Sequence, residues 1–249
     1  MSQNAYDEPL FFAGYSELPR SQKGINGALE WPLLQALVGD VQGYSVLDLG
    51  CGFGWFCRWA HENGAQKVHG IDISRNMLEK AKSLTRYPAV TYSIGDLDTI
   101  KLEKDSYDLV YSALAFHYLT NIKELFGQVY DRLKPGGRFV FSVEHPIFTG
   151  PIVAPAWTTG AGGTEAWGVD SYAEEGLRKR DWLGKEVFKQ HRTVDTYVSL
   201  LLSTRFILTA LKEWMPTTEY VKDHPEWKRE RIRPLFLILA AQKPKEAQH

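Results

Sequence analysis

The chain has 249 residues, 44% of them apolar and 13% aromatic, enough to bury a full core as one domain or as one domain with a large insertion. Its formal net charge of -1 excludes a broad basic field that attracts nucleic acid, and Cys51 and Cys57 lack the partners of a zinc site. Since no apolar run approaches the ~20 residues that span a bilayer, we expect a cytoplasmic protein without a metal, nucleic-acid or membrane partner.

Three glycines at alternate positions follow the first predicted strand. Residues 46–54 read Val-Leu-Asp-Leu-Gly-Cys-Gly-Phe-Gly, and a helical pattern begins at Trp55. Glycine lets the backbone turn sharply and come within contact distance of a ligand, because it has no Cβ. The dinucleotide fingerprint needs its third glycine where Trp55 stands, which argues against an ordinary NAD site. Asp48 can anchor the loop or accept hydrogen bonds from a cationic amine, so a positively charged ligand is favoured.

Acidic residues follow the next two predicted strands. Residues 67–72 read as a second strand, and Asp72 lies 20 residues beyond Gly52, where a carboxylate can bind both ribose hydroxyls of a nucleoside. A third strand, roughly 89–93, leads to Asp96. The carboxyl ends of parallel strands are where open sheets bind ligands, so these acids are expected at one site.

Strands continue to alternate with helices downstream. Asn121 is predicted to start a helix that Pro135-Gly-Gly ends, before a fifth strand over 138–143. The last two strands are predicted at 206–214 and 235–242. This alternation predicts a parallel sheet that is covered by helices on both faces.

These motifs resemble those of the class I S-adenosylmethionine-dependent methyltransferases, of the small-molecule, methyltransferase type 11-like kind. The glycine loop resembles motif I and residues 107–112 resemble motif IV, so the resemblance covers residues 44–145 closely and 191–243 loosely. It implies an α/β fold with a Rossmann-like, doubly wound sheet of seven strands, mostly parallel with an antiparallel last strand. It also implies that S-adenosyl-L-methionine is the cofactor and S-adenosyl-L-homocysteine the product.

The resemblance implies a role for each residue near the donor. Asp72 would hold the ribose, Asp96 the exocyclic amine of adenine and Leu97 the adenine ring through its backbone N–H, while Ile73 and Met77 would pack on the ring faces. The predicted cofactor-binding residues are Arg20, Asp48, Gly50, Cys51, Gly52, Phe53, Gly54, Asp72, Ile73, Met77, Asp96, Leu97 and Ser112.

A long segment separates the fifth strand from the next helical pattern. Residues 146–190 hold seven glycines and three of the eight tryptophans, a composition too aromatic for a solvated linker. We therefore predict an inserted substrate-binding lid at 146–190, an N-terminal helical cap at 1–43 and a methyltransferase domain at 44–145 and 191–243. A structural flap or a dimer contact is the alternative for the insertion. Arg20 would clamp the donor's carboxylate, or is an ordinary surface arginine.

Methyl transfer is an in-line displacement in which positioning contributes most. A base is needed only when the nucleophile must lose a proton, and the candidates are His117, His145 and His191. We favour His145, because its sequence neighbours Glu144 and Pro146 fix it at the mouth of the site. Each histidine is otherwise a hydrogen-bonded structural residue. The predicted substrate-binding residues are Tyr118, Glu144, Trp157, Trp167 and Trp182.

The methyl acceptor is predicted to be a small molecule. Enzymes that methylate exocyclic amines of bases carry Asn/Asp-Pro-Pro-Tyr after strand four, where Ser112–Ala115 here read Ser-Ala-Leu-Ala. O-, N- and C-methylation stay open, as does the oligomeric state. One alternative is a non-catalytic S-adenosylmethionine-binding sensor or partner protein, which the full set of loop glycines and acids disfavours. Another is an NAD(P)-dependent reductase, which fits the fold but not the glycine spacing.

Overall fold

The computed structural model describes residues 3–102 and 106–245. The α-helices in these ranges are α1 (Pro9–Ser16), α2 (Pro19–Gln22), α3 (Trp31–Val38), α4 (Trp55–Glu62), α5 (Arg75–Leu84), α6 (Ile122–Arg132), α7 (Pro146–Thr149), α8 (Val194–Ser203) and α9 (Thr218–Asp223). The strands are β1 (Ser45–Leu49), β2 (Lys67–Asp72), β3 (Val90–Ile94), β4 (Tyr107–Ala113), β5 (Leu133–Glu144), β6 (Trp157–Thr159), β7 (Glu165–Trp167), β8 (Gly176–Trp182), β9 (Lys185–His191), β10 (Ile207–Trp214) and β11 (Phe236–Gln242). Short 3-10 helices lie at Ala5–Asp7, Gly24–Gly27, Phe116–Tyr118, Ala161–Gly163 and Pro225–Arg231.

Seven strands form one central sheet in the order β10-β11-β5-β4-β1-β2-β3. The pairs between β5 and β3 are parallel, whereas β11 runs antiparallel to both β5 and β10. The predicted Rossmann-like sheet of seven strands, mostly parallel with an antiparallel last strand, is confirmed. The chain winds outward from β1 in one direction through β2 and β3, and in the other through β4. Such a reversal of strand order leaves a crevice at the carboxyl ends of the strands.

Helices cover both faces of this sheet. On one face, Phe126 of α6 and Tyr197 of α8 pack against Phe141 of β5. On the other face, Phe56 of α4 stacks on Tyr111 of β4 with ring centroids 3.6 Å apart. Apolar side chains on both faces of a strand require a fully buried sheet, so its ligands can approach only from the strand ends or from loops.

Side-chain caps explain where two of these helices begin. Ser74 accepts a hydrogen bond from the backbone N–H of Met77 at the start of α5, and Asn121 accepts one from Glu124 at the start of α6. The prediction for the residues after α6 was wrong by five positions, because β5 begins at Leu133 rather than Arg138. Leu133 already pairs with Tyr107, and the register shifts before the next pair, Leu109 with Arg138, so that the Pro-Gly-Gly residues are extra residues within β5.

The segment at 146–190 contains ordered elements that the sequence did not predict. After the short helix α7, strands β6 and β7 form one hairpin and strands β8 and β9 a second, longer one. Leu183 and Gly184 link β8 to β9 with φ angles of 54° and 73°. Two consecutive positive φ angles are typical of the tight turns that match the twist of a hairpin. The insertion therefore places two antiparallel hairpins after the carboxyl end of β5.

Candidate functional site

A cavity of about 560 Å³ opens at the carboxyl ends of the central strands. Gly50 and Gly52 after β1, Asp72 at the end of β2 and Glu144 at the end of β5 all line it. The insertion supplies another part of the wall. The volume lies within the roughly 300–1,000 Å³ of ligand pockets, and the position is the one that strand topology predicts.

The glycine loop forms one wall of this cavity. Gly50, Gly52 and Gly54 have φ angles of 79°, 51° and 69°, a region that other residues rarely adopt. A Cβ on Gly50 would overlap Ala115 and one on Gly54 would overlap the Tyr92 hydroxyl, whereas one on Gly52 would meet no atom within 4 Å. The protein thus leaves open space beside Gly52, where bare backbone faces the cavity.

Asp72 joins the loop to the second strand. The backbone N–H of Gly52 donates to its Oδ2 at 2.8 Å, and the backbone N–H of Ser74 donates to its Oδ1 at 2.9 Å. Burial raises the pKa of Asp72, and these two hydrogen bonds oppose that shift. The carboxylate is therefore held in one orientation while it lines the cavity. The other cavity-lining residues that were predicted for the donor are Ile73, Met77, Asp96 and Leu97.

A smaller pocket of about 110 Å³ adjoins the cavity and shares Arg20, Gly50 and Gly52 with it. Asp48, Cys51 and Phe53 line this second pocket. Asp48 accepts a hydrogen bond from the Cys57 thiol at 3.2 Å, and burial raises the pKa of Asp48 to about 7. Asp48 can thus anchor the loop, as the sequence suggested.

Three further residues that were predicted for the donor have structural roles within the protein. Arg20 donates to both carboxylate oxygens of the buried Glu30, at 2.8 and 3.1 Å, while it lines both pockets. Ser112 is fully buried, donates to the Leu49 carbonyl at 2.7 Å and lines neither pocket. Gly54 also lines neither pocket and instead begins α4 in a left-handed conformation. Ser112 and Gly54 therefore support the conformation of the glycine loop without lining either pocket.

The N-terminal residues cover the cavity from the other side. Gln3, Tyr6 and Tyr15 line it. Gln3 donates to the Glu186 carbonyl and accepts from the Phe188 N–H, which fixes the N-terminal segment to β9. Sequence reasoning missed Gln3 and Tyr6, since no local pattern distinguishes them from surface residues.

The three candidate histidines are not brought together. His117 lines the cavity, its Nδ1 accepts from the Glu144 N–H at 3.3 Å, and burial lowers its pKa to about 4. His145 does not line the cavity, because its Nδ1 accepts from the Ile147 N–H and its Nε2 lies 2.9 Å from Glu213.

His191 is also directed away from the cavity. One of its ring nitrogens lies 2.8 Å from the Thr149 hydroxyl and the other 2.9 Å from the Tyr172 carbonyl. The preference for His145 as the base therefore has no support in the geometry, and His117 is the histidine that reaches the cavity.

Glu144 lines the cavity and has one buried oxygen that is not hydrogen-bonded. Its Oε1 pairs with Lys189, whereas no residue in the described ranges forms a hydrogen bond with its Oε2. Burial raises the pKa of Glu144, but Lys189 and His117 outweigh that effect and hold it below the usual range. The Lys189 ammonium also lies 5.9 Å from the Tyr118 ring and 5.5 Å from the Trp182 ring. An ionised carboxylate beside aromatic rings can accept a hydrogen bond from a polar ligand.

The three tryptophans of the insertion all line the cavity. Trp157 and Trp167 pack edge to face with centroids 5.0 Å apart, and the Trp167 indole donates to the Ile147 carbonyl at 2.9 Å. Trp182 lies on the opposite hairpin, where it packs against Tyr15. The sequence did not point to the cavity-lining residues Phe148, Arg180, Lys189 and Arg233.

Two features are absent from the part of the chain that the structure describes. Among residues 3–102 and 106–245, no group of three or more His, Cys, Asp or Glu side chains could hold a metal ion. No helix within those ranges is long and apolar enough to cross a membrane.

Comparison with known proteins gives one family model and several similar chains. A methyltransferase domain model matches residues 47–141. The crystal structure of an S-adenosylmethionine-dependent methyltransferase from Mesorhizobium loti has a TM-score of 0.84 and 46% identity, covering 88% of this chain and 100% of that one. An uncharacterized protein from Haemophilus influenzae is 32% identical over 96% of this chain and 97% of its own length.

A third similarity covers only part of each chain. The malonyl-[acyl-carrier protein] O-methyltransferase of Halalkalibacterium halodurans is 34% identical over 107 residues, which are 41% of this chain and 40% of that enzyme.

Proposed function

The chain belongs to the S-adenosylmethionine-dependent methyltransferases, and from that premise we propose that it methylates a small molecule bound between the glycine loop and the segment at 146–190. It is an enzyme that uses S-adenosylmethionine, as its family does. We assign residues 1–43 to a cap over the donor, 44–145 and 191–243 to the methyltransferase domain, and 146–190 to a lid over the acceptor. Glu144 and the lid tryptophans line the same cavity as Asp72, which supports this assignment.

The residues at the glycine loop fit the donor. Asp72 would hold the ribose, and the space beside Gly52 admits a ligand atom where a Cβ would otherwise stand. Ile73 and Met77 supply the apolar surface for adenine, and Asp96 supplies a carboxylate at the end of the same wall. When bound, S-adenosylmethionine supplies an electrophilic methyl group on a cationic sulfur.

We assign to Glu144 the role of binding the nucleophilic group of the acceptor. Its unpaired Oε2 accepts a hydrogen bond from an O–H or N–H group and orients the lone pair of that group. If the nucleophile must lose its proton, the carboxylate receives it at Oε2. The aromatic rings of Tyr118 and Trp182 line the cavity beside Lys189 and limit the access of water.

His117 has a different role from the base predicted by sequence. Its Nδ1 already accepts the Glu144 N–H, so the neutral ring carries its proton on Nε2. With a pKa of about 4 the ring is neutral near pH 7. We therefore assign His117 to holding the backbone of Glu144 in place.

The observation that carries the proposal is the Asp72 carboxylate, fixed by two backbone N–H groups on the cavity wall. Calorimetry with S-adenosylmethionine and with NADH tests it. We expect the parent to bind S-adenosylmethionine and not NADH. Asp72→Ala should lose charge-assisted hydrogen bonds of about 1.5–3 kcal/mol each, which is about tenfold or more in affinity.

Asp131→Asn is the matched control, because Asp131 is exposed on α6 and lines neither pocket. Its affinity for S-adenosylmethionine should equal that of the parent. If Asp72→Ala bound S-adenosylmethionine as tightly as the parent, Asp72 would not be the residue that holds the ribose. Incubation with methyl-labelled donor and fractionated cell extract then identifies the acceptor.

A further inference from the structure

Arg233 lies on the cavity wall with a buried guanidinium that is ion-paired with Glu230. Its side chain is 4% exposed, and no residue that the structure describes forms a hydrogen bond with Nε or Nη1. Nη1 is 2.9 Å from Oε2 of Glu230, but the two groups are not aligned for a hydrogen bond and both atoms stay unsatisfied. The ion pair compensates part of the charge, but each buried N–H group without an acceptor still destabilises the folded protein.

Two other buried arginines show how this chain satisfies a guanidinium within the protein. Arg178 and Arg180 project inward from β8 and donate to backbone carbonyl oxygens on both sides. The acceptors are the carbonyls of Gly150, Ser171, Glu174 and Leu177 for Arg178, and those of Thr149, Pro151, Ile152 and Lys179 for Arg180. Arg233 has no such carbonyl partners at Nε and Nη1, although it is buried to a similar degree.

Aromatic rings surround Arg233 without satisfying it. Its guanidinium carbon lies 4.2 Å from the Trp167 centroid, 4.5 Å from that of Phe148 and 5.1 Å from that of Trp157. Cation–π contacts stabilise the charge and hold the side chain in one position. They do not replace acceptors for the N–H groups, which a planar guanidinium presents along its edge. The rings therefore hold the guanidinium in place and leave its N–H groups available to bind an anion.

The positively charged residues around this part of the cavity also favour an anionic ligand. Arg180 and Lys189 line the cavity with Arg233, and Lys189 pairs with Glu144 at the end of β5. Burial lowers the pKa of Arg233 even though Glu230 and Glu144 both raise it. A bound anion would offset that loss of solvation.

We propose that the methyl acceptor carries an anionic group, a carboxylate or a phosphate, which Arg233 binds through its guanidinium edge. An apolar portion of the acceptor then packs on Trp157 and Trp167, and its nucleophilic atom faces Glu144. Arg233 fits this role because its donor pair matches two oxygens of a carboxylate or phosphate. This inference rests on the proposed function, since it describes the acceptor of the same methyl transfer.

Titration of the protein saturated with S-adenosylhomocysteine tests the inference. The probes are benzoate, phenyl phosphate and benzamide, because benzamide retains the ring and shape of benzoate without its charge. We expect at least one of the two anions to bind about tenfold or more tightly than benzamide. The tighter of benzoate and phenyl phosphate identifies the anionic group. Equal binding of benzamide and both anions overturns the inference.

Arg233→Gln and Arg229→Gln form a matched pair of variants. Arg229 also lies over Trp157, at 4.0 Å, but its side chain is 42% exposed and pairs with Glu165. Arg233→Gln should lose the preference for anions and Arg229→Gln should keep it. A preference that survives in Arg233→Gln shows that another residue binds the anion, or that Arg233 only supports the tryptophans.

Two measurements distinguish a failure of this inference from a failure of the proposed function. Affinity for S-adenosylhomocysteine is measured first in every variant, and its absence in the parent counts against the methyltransferase site itself. Loss of anion preference with normal S-adenosylhomocysteine affinity supports the role of Arg233. If Arg233→Gln does not fold, Arg233→Met carries the test, because it removes the charge and keeps an apolar side chain against the aromatic rings. An unchanged anion preference in Arg233→Met then overturns the inference.

Discussion

Gly52→Ala separates the two reasons for a glycine in the loop. Gly52 has a φ of 51°, which disfavours any side chain, and a Cβ there would meet no protein atom within 4 Å. The substitution therefore adds a methyl group to the space where we place the donor, without a clash inside the protein. Gly43→Ala is the matched control, since Gly43 has a φ of 74° and no atom within 4 Å, and lines neither pocket.

The two variants share one energetic cost and differ in the other. A left-handed conformation costs a non-glycine residue about 1–2 kcal/mol, so both variants should lose about that much stability. In a chain of this size the loss lowers Tm by roughly 2–8 °C, at about 2–4 °C per kcal/mol. Only Gly52→Ala also crowds the ligand, at about 1–3 kcal/mol for an added methyl group in a packed site, or about 5- to 150-fold in Kd.

Calorimetry with S-adenosylmethionine and thermal unfolding without ligand measure the two costs independently. We expect similar Tm shifts for the two variants and a weaker Kd for Gly52→Ala alone. If Gly52→Ala bound S-adenosylmethionine as tightly as Gly43→Ala, the backbone at Gly52 would not approach the donor. That result would refute the placement of the ligand against the glycine loop.

Two further changes address catalysis and stability. If the acceptor is deprotonated, Glu144→Gln should lower kcat about 100-fold or more and leave donor affinity unchanged. His145→Asn is the control, because its ring pairs with Glu213 outside the cavity, and it should change neither quantity. Normal turnover in Glu144→Gln would contradict our assignment of Glu144. Burial raises the pKa of Asp48 from 3.8 to about 7, so between these values only the folded state binds the proton and the free energy of unfolding falls as pH rises. Asp48→Asn should flatten that fall in denaturant titrations between pH 4 and 7, and an unchanged slope would show that Asp48 ionises normally in the folded protein.

The donor side of the site was accessible to sequence reasoning because its signals are local. Gly50 and Gly52 directly follow the first strand, and Asp72 ends the second, so one β-α-β unit brings them together. Ser74 caps the following helix and also donates its backbone N–H to Asp72. Within such a unit the spacing along the chain largely determines the spacing in the fold.

The direction of a histidine side chain is set by distant residues. His145 follows β5 directly, which made it the favoured base. Its ring nevertheless caps α7 through the N–H of Ile147 and meets Glu213, which is 68 residues away. No pattern near residue 145 contains that partner. Position on a strand end was therefore predictable, but access to the cavity was not.

The lid and its tryptophans were predicted from composition, but the strands of the lid were missed because they reverse the usual hydrophobic alternation. In β8 and β9 the inward positions include Arg178, Arg180 and Lys189, each less than a tenth exposed. A strand that packs on an apolar core buries apolar residues at every second position, and prediction from alternation relies on that rule. Here the inward face meets backbone carbonyls and Glu144 instead. Alternation therefore gave no signal for this hairpin or for Arg180 and Lys189, the two cations that it brings to the cavity wall.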